Sequence, residues 1–173
     1  MSRVEACSRT ARLINLVFFD GSADETTISD GLQKTRVRLV ADTANVATRA
    51  GQAYVVTSFQ LIARMGIGIE LIVPDASLVK VVHPLRRPTL GAALLDLADD
   101  LIPDTIVSTA PENAHATFVL ADTSSNTAES VVEADDLSSR LTISGSHDPA
   151  RISSDCPLGA MAAAAAAAAI ALQ

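Results

Sequence analysis

Residues 36–73 constrain the fold of this chain more than any other stretch. Arg36-Val37-Arg38-Leu39-Val40-Ala41 alternates polar and apolar residues and then turns apolar, which is a strand pattern. Asp42 to Thr48 is polar. Ala50 to Met65 then sets Val55, Phe59, Leu61, Ile62 and Met65 on an apolar helical face, and Gly66 stands where a helix takes its left-handed C′ residue. Ile67 to Val73 reads as a buried strand that stops at Pro74. Strand, helix and strand in so short a span predict a βαβ unit with parallel strands and a right-handed crossover. The expected class is α/β, Rossmann-like, with a mainly parallel sheet flanked by helices.

Other segments extend that expectation. Ile14 to Phe19 is a strand candidate ended by Asp20-Gly21, and residues 21–33 read as a polar loop. Leu78 to Val82 and Thr105 to Val107 are short strand candidates. Thr89 suits the N-cap of a helix over Leu90 to Leu101, whose Leu90, Leu94, Leu97 and Leu101 share one face. Thr117 to Ala121 is a further strand, residues 122–138 a loop or frayed helix, Leu141 to Ser144 a last strand, and Ser146 to Asp155 a loop.

The 173 residues suffice for one domain with a buried core. Hydrophobic residues make up 49%, but aromatic residues only 3% and Trp none, so the core must be aliphatic. So few aromatic rings exclude a platform that stacks single-stranded bases. The net charge of −7 opposes a phosphate backbone. Twelve Asp and Glu against two Arg between Asp96 and Asp155 read as a solvated acidic face. Cys7 and Cys156 lack metal-type spacing and are expected as free thiols, and the N-terminus lacks an apolar signal region; a cytoplasmic protein is the expectation.

The C-terminal stretch has a definite physical meaning. Ala160-Met161 leads into eight consecutive Ala, Ala162 to Ala169, then Ile170-Ala171-Leu172-Gln173. Ala is the best helix former and loses no side-chain entropy on folding. Pro157 suits the first turn. The helix has no Gly stop and no basic last turn, so it is expected to lead into a missing downstream domain, with residues 1–155 forming the α/β domain ahead of it. So small a side chain fits a tight groove against a sheet or a helix. Ala165→Leu is expected to overfill such a groove, at about 1–3 kcal/mol. Left uncovered, the small-residue face would favour self-association.

Motifs for chemistry are sparse. Gly66-Ile67-Gly68 opens like a dinucleotide fingerprint, but Leu71 replaces the third Gly and the motif follows a helix instead of a strand. Gly31 to Thr35 resembles the end of a phosphate loop, yet a strand follows it. Ser146-His147-Asp148 are too close in sequence to assemble a triad, and His83 and His115 lack partner spacing. The turn that could hold an anion is Asp42 to Arg49, where Thr48 could cap the helix and Arg49 could reach a phosphate. No catalytic, metal-binding or cofactor-binding residue beyond these two candidates stands out.

Two blocks carry a family resemblance. Leu-Val-Ala-Asp-Thr (39–43), Ala-Gly-Gln-Ala (50–53), Leu-Ile-Ala-Arg (61–64) and Glu-Leu-Ile-Val-Pro (70–74) form one; Cys156-Pro157-Leu158-Gly159-Ala160-Met161 with its Ala run forms the other. Together they resemble the N-terminal region of bacterial ThiF/E1-like adenylyltransferases, covering about two fifths of the chain. The family activity implied is ATP-dependent adenylation of a carboxylate on a ubiquitin-like or sulfur-carrier protein. That chemistry uses a Gly-rich loop, residues around ATP and Mg, and often a catalytic Cys, none of which has a counterpart here. The resemblance therefore implies a non-catalytic N-terminal part of such an enzyme. The alternative is a stand-alone α/β binding module for a small anion or nucleotide.

Overall fold

The computed structural model describes residues 1–80, 84–110, 112, 114–120, 130–134, 139–143 and 156–170. Six strands form one sheet: β1 (Arg36–Ala41), β2 (Gly68–Ile72), β3 (Val107–Ser108), β4 (Ala116–Leu120), β5 (Ser130–Ala134) and β6 (Ser139–Ile143), in the spatial order β3-β2-β1-β4-β5-β6. All neighbours run parallel except the β5–β6 pair. The fold is thus α/β with a mainly parallel sheet. The βαβ unit is present: β1 and β2 are adjacent and parallel, with Val37 beside Ile69 and Leu39 beside Leu71.

The helices are α1 (Arg3–Phe19), α2 (Glu25–Lys34), the single turn α3 (Thr43–Val46), α4 (Arg49–Arg64), α5 (Leu90–Leu101) and α6 (Pro157–Ile170). α4 lies on β1 and β2 and touches both α5 and α6, while α6 lies on β5 and β6. These three helices therefore make one layer over the sheet. Val37, Leu39 and Ala41 alternate inward on β1, and Tyr54, Phe59 and Ile62 of α4 are fully or nearly fully buried in the same core.

Ile14 to Phe19 is not a strand. It is the end of α1, because a capping box starts a helix at Ser2: the Ser2 hydroxyl accepts from the Glu5 amide, and the Glu5 carboxylate accepts from the Ser2 amide at 2.7 Å. The inward face then continues at helical period through Cys7, Ala11 and Ile14. The helix stops at Asp20 in the left-handed region, φ 49°, a conformation Asp tolerates better than most residues.

Residues 21–33 are not all loop either. Asp24 caps α2 by accepting from the Thr26 and Thr27 amides, and Ile28 and Leu32, one turn apart, give it an inward edge. The Thr27 hydroxyl, donating to Asp24 Oδ2 at 2.7 Å, and then the Thr26 amide hold the Asp24 carboxyl below its usual range. β5 falls inside the polar 122–138 stretch, where a loop or frayed helix is expected; it is stabilised by strand pairing on both sides. Leu78 to Lys80, the described part of the Leu78 to Val82 candidate, forms no strand; an isolated bridge just before it joins Ser77 to Thr89. Ser146 to Asp155 lies outside the described residues.

Gly66 closes α4 with φ 83°, as its position suggests. The turn also serves as a dock for α1. Arg3 Nε donates to the Gly66 carbonyl at 2.8 Å, and a Cβ at Gly66 would sit 2.5 Å from Cys7 Sγ.

The Ala-rich helix packs within this same core. Ala160, Ala163, Ala164, Ala167 and Ala168 are buried, and α4 supplies the main contact. The small-residue stripe is therefore covered by the chain's own α4 and by β5–β6. Ala162, Ala165, Ala166 and Ala169 face outward. Ala165 is consequently the wrong position to probe the packing. Ala164→Leu should destabilise the protein by about 1–3 kcal/mol by overfilling the α4–α6 contact. Ala165→Leu should leave the thermal midpoint within error. Paired thermal melts of the two variants check both expectations.

Candidate functional site

In open α/β sheets, ligands collect outside the carboxyl ends of the strands, where the strand order reverses. Here that reversal lies between β1 and β4. The turn after β1 is Asp42 to Arg49, the segment singled out from sequence. Asp42 Oδ1 accepts from the Asn45 amide at 2.8 Å and from Asn45 Nδ2 at 3.0 Å, closing the single turn α3. Thr48 is the N-cap of α4: its hydroxyl accepts from the Gly51 amide at 3.0 Å and donates to the Asn45 carbonyl at 2.8 Å. Its oxygen is thereby committed to the helix start and not presented to a ligand.

Gly51 explains why the turn is so tight. A Cβ there would lie 2.0 Å from the Asn45 carbonyl oxygen, so only Gly lets α3 fold back on α4. The glycine that a phosphate loop would use for close ligand approach is used here for close backbone approach.

Arg49 is exposed and makes no hydrogen bond or ion pair to another described residue. It lines a cleft of about 350 Å³ together with Lys80, Gln52, Val56, Leu85 and Met161. Gln52 fixes one wall. Its Nε2 donates to the Val46 and Ser77 carbonyls, and its Oε1 accepts from the Val79 amide, tying α4 to the chain that follows β2. Lys80 thus reaches the same cleft as Arg49 from a different segment. Sequence reading missed this pairing because the two residues are thirty-one positions apart (80 minus 49) and no motif links them.

Two other polar features escaped sequence reading. Thr89 stands at the N-cap of α5 but makes no capping hydrogen bond. Asp75 caps instead, accepting from the Gly91 amide at 3.0 Å. The second feature is an ion pair across the sheet. Arg38 of β1 lies beside Glu70 of β2, and both Nε and Nη2 approach Glu70 Oε2, at 2.8 and 2.7 Å. The Glu70 side chain is fully buried and its Oε1 has no partner among the described residues, whereas the Arg38 side chain is 24% exposed. A single acid inside the apolar Ile67–Val73 run, beside a strand with Arg at alternate positions, is the signal that could have found it.

The remaining candidates resolve as structure. Gly66 to Gly68 is a helix stop and strand entry, and Gly31 to Lys34 is the end of α2. His115 Nδ1 accepts from the Arg36 amide at 3.0 Å, extending the β1–β4 pairing. His83, Ser146, His147 and Asp148 lie outside the described residues. Among the described residues Cys7 and Cys156 form no disulfide; burial pushes the Cys7 thiol up, against a smaller opposing pull from Arg3, away from the thiolate that a nucleophile needs. Among the described residues, no group of His, Cys, Asp or Glu is placed to hold a metal, and no helix is long and apolar enough to cross a membrane.

Comparison with known protein families gives no match for this chain. Comparison with curated proteins gives none either.

The Arg38–Glu70 pair makes a direct prediction. Arg38→Ala strands a buried carboxylate and should cost about 3 kcal/mol, the lower end of the usual range because Arg38 is partly hydrated. Replacing both residues with Leu should cost less than Arg38→Leu alone. Urea unfolding of the three variants measures the difference.

Proposed function

We propose that this chain is a Rossmann-like α/β unit without a phosphate loop, serving as the non-catalytic N-terminal part of a ThiF/E1-like adenylyltransferase. The parent enzyme would use ATP and Mg to activate a ubiquitin-like or sulfur-carrier protein, in the cytoplasm. Within it, this unit contributes surface and packing rather than adenylation chemistry. The observation that carries the non-catalytic role is the turn after β1. Asp42 and Thr48 serve its amides from within, and Gly51 is consumed by the approach of α3 to α4. A nucleotide phosphate would find those donors taken. The strand order and the two resembling sequence blocks support the family assignment.

A second reading has its own observation. Arg49 and Lys80 bring two cations to one cleft, which suits a stand-alone module for a small anion or nucleotide.

Two measurements separate these readings. Calorimetry of the chain with ATP, AMP and NAD should give no binding heat. Heat that vanishes in Arg49→Ala would instead favour the anion-binding module. The reading frame after Gln173 should encode a Gly-rich strand-turn-helix within about 40 residues, the span of one βαβ unit. A stop codon directly after Gln173 would overturn the adenylyltransferase assignment.

A further inference from the structure

We propose that the groove between α1 and α4 docks an acidic amphipathic helix of a partner protein. The groove encloses about 580 Å³; Leu13 and Leu16 of α1 face Leu61 and Met65 across it, and Arg9, Arg12 and Arg64 stand around it. Leu13 is 58% exposed and Leu16 66%, and Val17 beside them is 61% exposed. Contiguous apolar surface of this kind, rimmed by polar groups, marks an interaction site on a soluble protein.

Charge selects the occupant. The chain carries a net charge of −7, yet three guanidinium groups surround this groove. Glu25 is the one carboxylate paired with any of them among the described residues, 3.6 Å from Arg12. Arg9 is anchored through its Nη2 to the Arg64 carbonyl at 3.1 Å. The Arg64 guanidinium has no partner among the described residues. An apolar floor under a basic rim is complementary to a helix with Leu or Ile at i, i+3 and i+4 and Asp or Glu beside them. Leu13 and Leu16 span about one turn of α1, so two or three turns of such a helix would fill the groove.

An anionic bilayer also joins apolar contact to negative charge. Two observations favour the helix. The leucines line one groove with Leu61 and Met65 from a second segment, which offers a helix two walls, and the acidic remainder of the protein would be repelled by anionic lipid.

The test uses the full chain and a fluorescein-labelled 15-residue helical peptide with Leu at i, i+3, i+4 and i+7 and Glu elsewhere. A second peptide carries Lys in place of every Glu. Fluorescence anisotropy should show saturable binding of the Glu peptide and none of the Lys peptide. Leu16→Gln and Arg64→Glu should each weaken the Glu peptide about tenfold or more. Both positions are exposed, so circular dichroism should show both variants folded like the parent chain. Equal binding of the two peptides, or indifference to Arg64→Glu, would overturn the proposal. So would a chain that ignores the Glu peptide, whether or not it sediments with phosphatidylserine–phosphatidylcholine vesicles.

Discussion

The fold depends on how closely other elements approach α4. This helix is buried on most of its circumference. It has β1 and β2 beneath it, α5 on one flank and α6 on the other. Its large residues Tyr54, Phe59 and Ile62 are buried in the core. At its N-terminus it spends Gly51, which lets α3 fold back on it. On the α6 side the partner is a stripe of Ala. Helix axes come nearer as contacting side chains shrink, and each Ala then meets many atoms at van der Waals distance. The stabilisation per residue is small, so the contact needs length, and a 14-residue helix supplies it. Within α4, Tyr54 and Ser58 are both buried, and burial pushes the Tyr54 phenol up strongly, against a smaller opposing effect of the Ser58 hydroxyl.

The two faces of the sheet obey different rules. Val37, Leu39, Ile69 and Leu71 meet the helical layer and are fully or almost fully buried. On the opposite face, the register sets Arg38 between Glu70 and Thr117, and Arg36 reaches Glu112 at 3.5 Å. A buried carboxylate persists there only because a guanidinium faces it at hydrogen-bond distance. The pair fixes the relative register of β1 and β2, since a slip by one residue would set Glu70 against an apolar position.

Sequence reading succeeded where period and punctuation agreed. β1, α4, Gly66 and β2 form an almost uninterrupted series of unambiguous signals, and α5 shows its four Leu on one face. It failed where a short window was judged alone. Ile14 to Phe19 has strand propensity in isolation, but a helix nucleated by Ser2 and Glu5 runs through it, and the inward face set by Cys7 and Ala11 overrides local preference. α2 was hidden because only Ile28 and Leu32 mark its inner edge. β5 was hidden because a strand paired on both sides tolerates a weak sequence. Of the candidate site, the position of Thr48 was legible as a cap. The meeting of Arg49 with Lys80 was not, because it depends on Gln52 holding two distant segments together.

A strand-to-helix turn can use its polar groups in one of two ways. It can leave amides open toward a ligand, or it can satisfy them from its own side chains. Asp42 and Thr48 take the second course, satisfying the Asn45 and Gly51 amides from within, which lowers the cost of the exposed helix start. What remains at that edge is charge without a cradle, in Arg49 and Lys80. At the other end of α4, Arg64 and the leucines of α1 combine charge with exposed apolar area. A folded domain has no internal reason to keep Leu13 and Leu16 in water, since polar residues at those positions would leave the buried stripe of Cys7, Ala11 and Ile14 intact. The turn has closed on itself while the groove has not, and an open apolar groove gains free energy only when something covers it.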